Sequence, residues 1–153
     1  MQQDMAGRVA LITGAGNGIG KETAKQMAAR GAIVGVNDLK EEFVSATVQE
    51  ITQAGGKAFD VVQNMAPREG VPAAVAQAHR HMGRLDIMVN NAAWVRYQAV
   101  PDIMPETVDR MIDIGFKSVI WGLQAAVEVM DPDRGGVIVN VASTAALRSA
   151  ANS

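Results

Sequence analysis

The sequence predicts an α/β protein built on a doubly wound parallel sheet, and three observations carry that prediction. Short apolar runs alternate five times with longer amphipathic stretches, the pattern of strand and crossover helix. The first run, Val9 to Ile12, stops at Thr13 and passes into Gly14, Gly16, Gly18 and Gly20. The second ends on an acid, Asp38, eighteen residues beyond Gly20.

Val9, Ala10, Leu11 and Ile12 leave no room for a helix before Gly14, which suits a strand covered on both faces. Ala24, Met27 and Ala28 recur at helical spacing between Lys21 and Arg30. A strand, a glycine turn and a helix are therefore contiguous. That unit aims the free N–H groups of a helix start past the end of a sheet, where the helix dipole favours an anion. Glycines let the chain turn tightly and let the backbone approach a pyrophosphate without a Cβ in between.

Residues 32 to 37 read as the second strand, and Asp38 stands where a dinucleotide fold needs a carboxylate for the adenosine ribose hydroxyls. An acid there repels a 2′-phosphate, and the glycine turn offers Asn17 rather than a basic side chain; NAD is favoured over NADP. The alternative role for Asp38 is to cap the helix that follows. That helix, residues 40 to 54, places Phe43, Val44, Thr47, Val48 and Ile51 on one face before Gly55 and Gly56.

Lys57 to Gln63 gives the third strand, and Asn64 and Met65 leave the sheet. Residues 68 to 82 form a helix closed by Gly83. His79 and His81 lie two positions apart on it and face different ways, so they are expected as solvated surface residues. Leu85 to Val89 is the fourth strand and runs into Asn90, Asn91, Ala92 and Ala93. Asparagines at a buried strand end must bond backbone or ligand.

Residues 94 to 105 read as a loop, with Pro105 at the first helical turn. A long helix from Glu106 to Met130 is expected, with an apolar face through Val108, Met111, Ile112, Val119, Ile120 and Leu123. That face either meets a second subunit or packs entirely within the chain. Asp131 and Pro132 end the helix, and Gly136 to Val141 supplies the fifth strand. Right-handed crossovers then give the order 3-2-1-4-5. Gly14 to Gly20, Asp38, Asn64, Asn91 and Ser143 all fall at the carboxyl ends of strands.

The 153 residues suit one domain, with 48% hydrophobic and 20% charged residues, ordinary values for a globular protein. A net charge of −2 gives no reason to invoke nucleic acid or an anionic membrane. The absence of cysteine excludes thiol catalysis and zinc-thiolate sites, and no metal site is expected. No signal peptide or membrane span is read, so a cytoplasmic protein is the expectation.

The residues resemble the short-chain dehydrogenase/reductase family. Thr13-Gly14-Ala15-Gly16-Asn17-Gly18-Ile19-Gly20 matches its TGxxxGIG turn, Asn90-Asn91-Ala92-Ala93 its NNAG motif, and residues 137 to 143 the strand ending in its catalytic serine. The resemblance implies a Rossmann-type sheet in three α/β/α layers. It implies Gly14, Gly16, Asn17, Gly18, Ile19 and Gly20 at the pyrophosphate of NAD, Asp38 at the ribose, Asn64 and Met65 at the adenine, and Asn91 along the cofactor. Ser143 would hydrogen-bond the substrate oxygen. The implied activity is NAD(H)-dependent interconversion of a secondary alcohol and a ketone, in a homodimer or homotetramer.

Three positions depart from the family pattern: Asn64 for aspartate, Ala93 for glycine, and Gly115 where an asparagine holds a bend and a proton-relay water. The family's Tyr-x-x-x-Lys pair, due about a dozen residues after Ser143, is not among these residues; Tyr97 is the single tyrosine and is read as a pocket wall, not a base. The expectation is therefore the N-terminal part of a longer enzyme, lacking the family's C-terminal strands, with these 153 residues inactive alone. The alternative is a non-catalytic NAD-binding or oligomerisation module.

Overall fold

The computed structural model describes residues 3–147. Its strands are β1 (Val9–Ile12), β2 (Ile33–Asp38), β3 (Lys57–Val62), β4 (Ile87–Asn90) and β5 (Val137–Asn140). They pair in parallel in the order β3-β2-β1-β4-β5, as the alternation of runs predicts. The helices are α1 (Gly18–Ala29), α2 (Glu41–Gln53), α3 (Gly70–Met82), α4 (Pro105–Ile112) and α5 (Ser118–Val129).

Side-chain alternation along β1 builds the layers. Val9 and Leu11 join Val71, Ala74, Val75, Ala78, Ala125 and Ala126 beneath α3 and α5. Ala10 and Ile12 join Ala24, Met27, Val44 and Ile51 beneath α1 and α2. All four β1 residues are fully buried, so the strand that launches the glycine turn is the best-covered element of the sheet. The edges differ: β3 buries Phe59 and Val61 and exposes Asp60 and Val62, while Val137 and Val139 of β5 are both exposed.

The base of the sheet is pinned by Asp86, which is 3% exposed. Its Oδ2 accepts from the Val9 N–H at 2.8 Å and from Arg84 Nε at 2.8 Å. Burial alone would raise its carboxyl, but the bonds from Arg84 and Val9, with the charges of Arg84 and Arg8, outweigh burial and hold it below the usual carboxylate range.

Two local expectations change. The helix expected from Glu106 to Met130 is broken by a π-type turn, Asp113–Lys117. Gly115 sits inside that turn, where its weak helix propensity eases the switch to i→i+5 pairing. Of the two histidines, His81 is exposed as expected, though it also stacks on Phe59 with centroids 4.8 Å apart, whereas His79 is half-buried.

Candidate functional site

The turn after β1 is held by hydrogen bonds from both sides. The Thr13 hydroxyl accepts from the N–H groups of Asn91 and Ala92, each at 3.0 Å. Asn91 Nδ2 donates to the carbonyls of Thr13 at 2.9 Å and Gly14 at 3.1 Å. On the β2 side, Ala15 N–H donates to the Asn37 carbonyl at 2.6 Å. The Asn37 side chain is fully buried, accepting from Gly14 N–H at 3.4 Å and donating to the carbonyls of Val61 at 2.9 Å and Gln63 at 3.1 Å. The turn is thus preset by its own backbone, the buried amide of Asn37 and the half-buried amide of Asn91.

Glycine is required at this turn for two reasons. Gly14 has φ +64°, a conformation that side chains strain to reach. At Gly16 a Cβ would lie 2.7 Å from Asp38 Oδ2 and 2.6 Å from Phe43 Cβ, and at Gly20 it would lie 2.4 Å from the Gly14 carbonyl oxygen. The missing Cβ atoms form the cradle that a pyrophosphate backbone contact needs. Asn17 precedes α1 without making a side-chain cap, so the N–H groups that open this helix keep no side-chain acceptor.

Asp38 ends β2. Its Oδ2 accepts from Gly16 N–H at 3.1 Å and its Oδ1 from Leu39 N–H at 2.8 Å. It does not cap the next helix: α2 is entered through Lys40, which makes no side-chain cap. Asn64 is exposed, its Oδ1 accepting from Ala66 N–H at 3.0 Å, and Met65 is buried against the core beside it.

Gly14, Asn17, Ile19, Gly20, Asp38, Asn64, Met65 and Asn91 line one cleft of about 380 Å³ at the carboxyl ends of the strands. Gly16 and Gly18 belong to the same turn but not to the cleft wall. Ser143 is not brought there. It follows β5, is exposed, and its Oγ accepts from Ala145 N–H at 3.1 Å to open a short 3-10 turn. An accepting Oγ leaves the hydroxyl proton free to donate.

Asn37, Leu39, Arg110 and Ile114 line the cleft beyond the candidates read from the sequence. Asn37 was legible as a polar residue inside an apolar strand. Trp94 lines the cleft too, with the Arg110 guanidinium 4.4 Å over the Trp94 ring. No spacing links a loop residue to one sixteen positions later. Beneath the site, Asn90 Nδ2 donates to Asn140 Oδ1 at 2.8 Å, directly across the β4–β5 pairing.

Among the described residues no group of acids, histidines or cysteines is placed to hold a metal ion, and no helix is long and apolar enough to cross a membrane.

The sequence profile of the short chain dehydrogenases matches residues 8–153. An uncharacterized oxidoreductase of Thermotoga maritima is 41% identical over 92% of this chain and 55% of its own length. A cyclohexanol dehydrogenase of Acinetobacter is 37% identical over 96% of this chain and 59% of its own. Among solved structures, a short-chain dehydrogenase of Burkholderia cenocepacia in complex with NADP superposes with a TM-score of 0.89 at 33% identity, covering 95% of this chain and 59% of that one. The chain therefore spans little more than half the length of the relatives it matches. Motif order, sheet order and profile agree: this chain belongs to the short-chain dehydrogenase family of oxidoreductases.

Proposed function

We propose that this chain carries the cofactor half of an NAD(H)-dependent oxidoreductase that interconverts a secondary alcohol and a ketone. The observation that carries the cofactor choice is the carboxylate of Asp38, fixed against Gly16 at the end of β2 and lining the cleft. A ribose diol can donate to that carboxylate, whereas a 2′-phosphate would meet it as like charge. The glycine turn opposite offers no cation.

When bound, the nicotinamide ring supplies or accepts the hydride. The residues of this chain bind and orient. Gly14 to Gly20 and the open N-terminus of α1 receive the pyrophosphate, Asn64 and Met65 border the adenine, and Asn91 holds the turn in place. Ser143, which follows β5 beside the cleft, would donate a hydrogen bond to the substrate oxygen and steady charge as it develops.

The outer side of α4 and α5 supports assembly as a homodimer or homotetramer. Phe116 is 61% and Val127 67% exposed, with Ile112, Ile120 and Leu123 beside them. Gly122, Ala125 and Ala126 face the sheet.

A second reading, a nucleotide-binding module without turnover, draws on Gly115 at the position of the family's relay asparagine. Turnover of a secondary alcohol by the intact protein rules that reading out.

The test of the first reading is the pair of dissociation constants for NADH and NADPH, read by nicotinamide fluorescence on the intact protein. NADH should bind at least tenfold more tightly, and Asp38→Ala should narrow the gap. Tighter binding of NADPH overturns the NAD assignment.

A further inference from the structure

We propose that Arg110 is a specificity-determining residue that reads the purine base of the cofactor from a fixed position on Trp94; the inference rests on the dinucleotide reading above. Among the described residues Arg110 is the one cationic side chain on the cleft wall. Its own helix surrounds it with acids, Glu106 four residues before and Asp113 three after, yet it forms an ion pair with neither, and Asp113 is taken by Lys117 at 2.7 Å. The guanidinium instead lies over the Trp94 indole, 4.4 Å from the ring centroid. A guanidinium held over a ring by its charge spends none of its N–H groups on a hydrogen bond to that ring, so they stay available to a ligand.

The placement selects which part of the ligand it meets. Arg110 and Ile114 are four residues apart along α4 and into the π-type turn, so both fall on one side. Both line the main cleft and an adjoining hollow of about 350 Å³, and Leu39 and Asn64 line the same two spaces. Two apolar side chains with an amide and a guanidinium on the rim suit a flat heteroaromatic ring with acceptor nitrogens at its edge. They do not suit a phosphate, which has its own donors at the start of α1. Adenine meets that description: two π faces for Leu39 and Ile114, and uncharged acceptor nitrogens at its edge for the guanidinium N–H groups.

Arg110→Met should weaken NADH binding to the intact protein about fivefold to tenfold. Adenosine, used as a competitor, should lose affinity by the same factor because the contact is to the base. Arg110→Lys keeps the charge but loses the planar fork, and should recover only part of the loss. Trp94→Leu should lower affinity by itself, and the double variant should be no weaker than Arg110→Met. Circular dichroism and thermal melts check that each variant folds.

An unchanged NADH affinity in Arg110→Met, with Asp38→Ala still narrowing the NADH/NADPH gap, overturns the role of Arg110 and leaves the cofactor reading standing. A loss for NADH but not for adenosine also overturns it, since the guanidinium would then serve a phosphate. If the unsubstituted protein binds neither NADH nor adenosine, both readings fall together.

Discussion

Two asparagines mark the two ends of this site, and they are held very differently. Asn37, on β2, is fully buried and spends its amide on three backbone groups of the glycine turn and the β3 exit. Asn140, at the end of β5, is exposed and accepts one bond, from Asn90. The strand beside Asn37 is covered on both faces, whereas Val137 and Val139 beside Asn140 meet solvent. The glycine-turn end is therefore held by bonds among the described residues. At the β5 end Ser143 is exposed and stands off the cleft wall.

The contrast is tested most strongly at Asn37. Asn37→Ala should cost about 3 kcal/mol, because buried N–H and C=O groups around the turn lose their partner. Urea unfolding measures the loss, and a cost below about 1 kcal/mol would show that the turn is not preset as described.

Acid should act next, at the base of the sheet. The folded Asp86 carboxyl lies below its ordinary value, so the unfolded chain takes up the proton first. Its contribution to stability is complete above the unfolded value of about 3.9 and is lost as pH falls through the lower folded value. Asp86→Asn should lower stability at neutral pH and flatten this acid limb. An unaltered limb would place the acid sensitivity elsewhere.

A smaller effect is expected at the Asn90–Asn140 pair. A double-mutant cycle to alanine should return a coupling of about 1 kcal/mol, well below the effect of Asn37→Ala alone. A coupling that rivals Asn37 would erase the difference between the two ends. The smallest effect is a gain: apart from its chain neighbours and the backbone of its own helix, nothing lies within 4 Å of a Cβ built on Gly115. Gly115→Ala should therefore raise stability by up to about 1 kcal/mol, read as a shift in Tm.

The sequence made the β1-to-β2 end legible because local chemistry decides it. An apolar run, a glycine turn and an amphipathic stretch, in this order, give a strand, a tight turn and a helix, and an acid at the next strand end is held beside that turn. The sheet order followed from crossover handedness, and Pro105 marked the start of α4 where the structure places it. The break in the long helix was harder. Gly115 signalled weakness, but the apolar spacing of Val108, Ile112, Val119 and Leu123 continues across the turn and hid the change to i→i+5 pairing. Stacked pairs were not legible at all: His81 on Phe59 and Arg110 over Trp94 join residues whose spacing carries no period. Along the outer face of α4 and α5 the described residues leave Val108, Ile112, Ile120, Leu123 and Val127 exposed, a detail that hydrophobic periodicity does not reveal.

The most direct test is a structure of the intact protein with NADH bound. The account requires the adenosine ribose hydroxyls within hydrogen-bond distance of Asp38, the pyrophosphate on the Gly14 to Gly20 turn, and the adenine between Leu39 and Ile114. A dinucleotide bound with its ribose directed away from Asp38, or outside this cleft, would contradict it.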